Sequence, residues 1–97
     1  MAKTASMTLI ALAPTATVFV GDRPLFIQAK PLGADGLSSG SPVSLSSGNL
    51  GIGKVTTEEQ LGNAPAGVIG VAPGSVTITA TAVDNTAVTA TLVVTVS

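Results

Sequence analysis

Cysteine, histidine, tryptophan and tyrosine are all missing from this chain, and each absence removes a class of chemistry. Without cysteine there is no disulfide, no thiolate nucleophile and no thiolate metal ligand. Without histidine the commonest general base and the commonest zinc ligand are gone. Without tryptophan and tyrosine there is no usual platform for stacking sugars or bases. Charge is scarce as well: four basic and five acidic residues leave a net charge of −1. That is no electrostatic footprint for nucleic acid or for an anionic membrane.

The charged fraction is 9%, against about 25% in ordinary soluble domains. The surface must therefore be covered mainly by Thr, Ser, Gly and Ala. Two readings follow: a Thr-rich β domain of the kind common outside cells, or a subunit that lives packed into a larger assembly. At 97 residues the chain is expected to form one domain, residues 1–97, with a small core and modest stability. Pro14, Gly21 and Pro24 interrupt the apolar N-terminal third, so no stretch approaches the ~20 apolar residues of a membrane span. Lys3 ahead of the apolar run Met7 to Ala13, ending Ala11-Leu12-Ala13, has the outline of an export signal. The run is short, and cleavage there would remove the first strand, so a retained segment is expected instead.

Gly and Pro punctuate the chain every eight to twelve residues, a spacing that reads as a β-sandwich or barrel. Strands are expected at Met7 to Leu12 and Thr17 to Val20, as two halves of one edge strand. Others are expected at Leu25 to Lys30, Val43 to Leu45, Ile52 to Val55 and Val68 to Val71. Gly33-Ala34-Asp35-Gly36 reads as a turn. The polar segment Thr56 to Ala66 leaves room for one short helical turn, and Pro73-Gly74 reads as a tight turn. The last third is the most regular: Val76, Ile78, Ala80 and Ala82 alternate with threonines, as do Val88, Ala90, Leu92, Val94 and Val96 with mostly threonines. Period-two alternation puts the apolar set inward and threonine outward. Asp84-Asn85 between the two runs makes them an antiparallel hairpin, with Val76, Ile78, Leu92 and Val94 expected in the core.

Acid–base or metal chemistry would fall to the acidic residues. Glu58 and Glu59 are adjacent and would point apart in extended chain, whereas glycosidase carboxyls must converge across one bond; they read as solvated loop charge and as partner-contact candidates. Asp35 and Asp84 read as turn residues, with calcium ligation the weaker alternative because further oxygen ligands do not cluster nearby. Serine without His and without a Gly-x-Ser-x-Gly elbow gives no hydrolase. The expectation is therefore a non-enzyme with no catalytic residue, cofactor or metal. Inward phasing of Val18 and Val20, and of Leu25 and Ile27, turns Phe19 and Phe26 to the opposite face. Either the phase slips at Pro24 and a ring fills the core, or both rings are exposed contacts for a partner.

Several segments resemble the bacterial immunoglobulin-like domain of group 2, found in intimin- and invasin-type adhesins and in phage virion proteins. Val18-Phe19-Val20-Gly21-Asp22 resembles that family's step from first to second strand, and Leu25 to Pro31 its second strand ending in proline. Gly67 to Ala80, reading GVIGVAPGSVTITA, resembles its strand–turn–strand motif. The chain departs from the pattern at Leu45, where the family usually has Trp, and at Thr56 to Ala66, which reads as an insertion. The resemblance implies an all-β, immunoglobulin-like two-sheet antiparallel sandwich of about seven strands. Residues 1–6 would be a flexible or partner-binding arm.

The resemblance implies the sandwich and not a function. A free-standing domain of this family with very low charge, no convincing export signal and no catalytic residues is expected to be a structural virion protein, a phage capsid decoration (cement) or accessory subunit on the capsid surface. The expected partners are the major capsid protein or other virion subunits, and further copies of itself as a homo-oligomer, with no nucleic acid and no membrane span. The alternative is a binding or spacer module of a bacterial surface adhesin, at the bacterial cell surface.

Overall fold

The computed structural model describes residues 4–12, 15–37, 42–56, 59–61 and 65–97. Among these residues nine strands run in chain order: β1 (Thr4–Ala11), β2 (Thr17–Val18), β3 (Leu25–Gly33), β4 (Pro42–Ser47), β5 (Gly53–Val55), β6 (Glu59–Leu61), β7 (Pro65–Gly70), β8 (Gly74–Ala82) and β9 (Asn85–Val96). They form a four-stranded sheet, β1-β3-β7-β5, and a five-stranded sheet, β2-β9-β8-β4-β6. The fold is an all-β two-sheet sandwich. Its strand order is the immunoglobulin one, with two outer strands, β2 and β6, added to the basic seven. Every ladder is antiparallel except β2 with β9, which is parallel.

Alternation builds the core. On β3, Leu25, Ile27, Ala29 and Pro31 are buried while Phe26 and Lys30 face out. On β8, Val76, Ile78, Ala80 and Ala82 are buried and meet Val43, Leu45 and Val68 from neighbouring and facing strands. Each inward row thus interlocks with one from the opposite sheet, as face-to-face packing requires. The turn after β3 closes with Gly36 N–H donating to the Gly33 carbonyl at 3.0 Å. Gly36 sits at φ 79°, a backbone region that costs a glycine little and other residues more.

Four expectations are corrected. β1 begins at Thr4, so residues 4–6 are strand rather than arm. Thr4 is buried there because its N–H donates to Asp84 Oδ2, and Asn85 Nδ2 donates back to its carbonyl; Met1 to Lys3 lie outside the described residues. β1 and β2 are not halves of one edge strand, since the chain crosses between sheets from one to the other. Within Thr56 to Ala66, Glu59–Leu61 is strand rather than helical turn, because the edge of β4 offers Pro42 to Ser44 as a pairing template. Leu92 is half-buried, not fully, while its neighbours Val94 and Val96 are enclosed. The Pro73-Gly74 link carries the chain from one sheet to the other.

Candidate functional site

Both phenylalanines are exposed, Phe19 at 57% and Phe26 at 54%. The expected phase holds on β3, where Leu25 and Ile27 are buried and Phe26 faces out. It fails at Val20, expected inward but 46% exposed, because regular alternation stops with β2 at Val18. Neither ring fills the core. Phe26 is the one drawn into a built surface. Its strand neighbours bring it together with residues far away in sequence: the Leu12 N–H donates to the Phe26 carbonyl at 2.9 Å, and Phe26 and Gln28 stand opposite Gly67 and Pro65 on β7. Leu12, Pro24, Phe26 and Pro65 line an open groove of about 430 Å³ on the outer face of the four-stranded sheet.

Gly67 makes this groove possible. A Cβ at that position would lie 2.8 Å from Pro24 Cβ and 3.0 Å from Thr56 Cγ2, so any larger residue would push them apart. The same glycine is fixed by two hydrogen bonds to Thr56: the Gly67 N–H donates to Thr56 Oγ1 at 3.0 Å, and the Thr56 N–H donates to the Gly67 carbonyl at 2.8 Å. The groove lining is thus held by rigid elements, two prolines and a clamped strand, with one aromatic ring standing exposed. An arrangement of this kind can bind an apolar side chain with little entropy lost in ordering the site.

Phe19 lies elsewhere. Its carbonyl accepts the Asp22 N–H at 3.1 Å and stands 3.1 Å from where a Cβ of Gly70 would be, so it is not part of the groove lining. Glu59 is exposed on β6, opposite Ser44, and Glu58 lies outside the described residues. The aspartates serve the backbone: Asp35 Oδ1 accepts from Leu37 N–H, Asp22 Oδ1 from Arg23 N–H and Asp84 Oδ2 from Thr4 N–H. Among the described residues no three His, Cys, Asp or Glu side chains cluster as a metal site would need, and no helix is long and apolar enough to cross a membrane.

A second groove, about 570 Å³, lies beside β4 and β5 and is lined by Ser44, Ser46, Ser47, Leu50 and Lys54, among others. Its lining is the more polar of the two. Comparison with models of known protein families and with curated proteins finds no match for this chain.

Proposed function

We propose that this domain is a non-enzymatic structural subunit of a virion, a capsid decoration or accessory protein that docks on the major capsid protein. The observation that carries the reading is the groove of Leu12, Pro24, Phe26 and Pro65 on a surface with so few charges. An exposed aromatic in a rigid apolar setting is the usual anchor of a protein interface, and a weakly charged surface packs closely against neighbours without like-charge repulsion. The segments that resemble group 2 bacterial immunoglobulin-like domains support the virion setting, since that family occurs in phage particles. Phe19, Glu58 and Glu59 are further contact candidates.

The test is co-sedimentation of the purified domain with undecorated heads assembled from the major capsid protein of the genome that encodes it. Binding through apolar contacts should survive a rise from about 0.05 M to about 0.5 M salt, because screening weakens charge interactions and leaves apolar burial intact. Loss of binding at high salt would reject the apolar mechanism. Failure to bind at either salt, with the fold intact, would reject the capsid reading in favour of an adhesin module.

A further inference from the structure

We propose that the outer face of the four-stranded sheet docks an extended apolar segment of the partner protein that carries carboxylates at both ends. The inference rests on the reading of the Phe26 groove as a docking site, and adds the charge of what docks there.

The strand registers lay this face out in rows. Leu12 and Gly67 flank Phe26 on its two sides. In the next row Ile10 and Pro65 flank Gln28, and in the row after that Lys30 stands opposite Thr8. On the far side of Phe26 the row of Pro24 continues into Ile69 of β7, which stands opposite Lys54 of β5. Phe26, Ile69 and both lysines are exposed. The face is therefore an apolar band with a lysine at each end. Six residues along and two strands across, the two lysine Cα atoms are about 20 Å apart.

Among the described residues no carboxylate shares this face. Glu59 belongs to β6 of the other sheet, Asp35 and Asp84 lie in turns, and Asp22 lies in the connection between β2 and β3. Neither lysine is paired with a described carboxylate. Apolar surface framed by positive charge is complementary to an apolar segment framed by negative charge. An extended segment of eight residues spans about 27 Å, long enough to reach both lysines while it lays a side chain in the groove.

The same pattern turns away other occupants. Two copies of this chain packed through this face would set lysine against lysine, whether their bands ran parallel or antiparallel. Two lysines are also too few to hold the domain on an anionic membrane, and the net charge of −1 opposes it. Charges at the rim of an interface set orientation and association rate more than affinity. The apolar contact still carries most of the binding, as survival at high salt requires.

Three synthetic peptides test the proposal: Leu-Phe-Pro-Leu flanked on each side by two glutamates, by two glutamines or by two lysines. Each is titrated into the whole chain and followed by amide chemical shifts. At about 0.05 M salt the glutamate-flanked peptide should move the amides of Phe26, Gly67 and Ile69. It should bind at least tenfold tighter than the lysine-flanked one, with the glutamine-flanked one between. At about 0.5 M salt the three should converge. The double variant Lys30→Glu with Lys54→Glu changes two exposed positions and should keep the fold, and in it the order should reverse. Lys30→Gln with Lys54→Gln should abolish the preference. Equal affinities for the three peptides, an unchanged order in the reversed variant, shifts confined to other surfaces, or no binding of the glutamate-flanked peptide would overturn the proposal. So would binding of the parent to vesicles of equal parts phosphatidylcholine and phosphatidylserine that the reversed variant loses, since the face would then serve a membrane. Undecorated heads separate this inference from the capsid reading. Heads that bind the parent and the reversed variant alike would overturn the charge assignment and leave the capsid reading in place. Peptides that behave as expected beside heads that bind neither would uphold the charge assignment and reject the capsid.

Discussion

Thr4 and Asp84, eighty positions apart, are joined by a hydrogen bond of 2.9 Å from the Thr4 backbone N–H to Asp84 Oδ2. The neighbouring Asn85 returns the contact, its Nδ2 donating to the Thr4 carbonyl at 2.9 Å. Together they pin the start of β1 to the tip of the β8–β9 hairpin and so tie one sheet to the other. A hydrogen bond to a charged group is worth about 1.5–3 kcal/mol net. Asp84→Ala should therefore lower unfolding stability by about 1–3 kcal/mol, measured by denaturant titration. Asp84→Asn keeps an acceptor oxygen and should cost less.

Ile78 is fully buried at the centre of the core, opposite Leu92 on β9. Ile78→Ala should cost about 2–5 kcal/mol, the range for emptying a packed aliphatic site. A domain of this size has a total stability of about 5–15 kcal/mol, so the melting temperature should fall by many degrees. An unchanged melting temperature would mean that Ile78 is not packed as described.

Gly67→Ala tests the groove lining. The added methyl would stand 2.8 Å from Pro24 Cβ, and a proline ring cannot swing aside as a long side chain would. The expected cost is about 1–3 kcal/mol by overpacking. A variant as stable as the parent would show that Pro24 does not close over the glycine.

Much of this fold was legible in the sequence, and the reason is local. The β8–β9 hairpin and the phase of β3 follow from period-two alternation, which each strand carries within itself. An outward Phe26 is one of two readings that alternation leaves open, the other being a slip of phase at Pro24. What the alternation does not hold is the partner across a ladder. Glu59–Leu61 becomes a strand because β4 presents an edge to it, and nothing in those three residues alternates. Thr4 reads as a polar tail residue until Asp84 and Asn85 arrive from the other end of the chain. Leu92 reads as core, yet it stays half-buried, because alternation fixes the face of a residue and not how well that face is covered. The groove was hidden for the same reason: Leu12, Pro24 and Pro65 reach Phe26 through registers set by tertiary pairing.

The central claim is that the domain is held on an assembly through the apolar groove around Phe26, and one comparison tests it most directly. Phe26→Ala and Leu50→Ala each remove an exposed apolar side chain, the first in the groove and the second beside β4 and β5. Neither should change stability by more than about 1 kcal/mol. In co-sedimentation with undecorated heads at high salt, Phe26→Ala should lose binding by tenfold or more, as removal of a central aromatic anchor of ~2 kcal/mol does. Leu50→Ala should bind as the parent does. A Phe26→Ala domain that folds and binds with unchanged affinity would contradict the account.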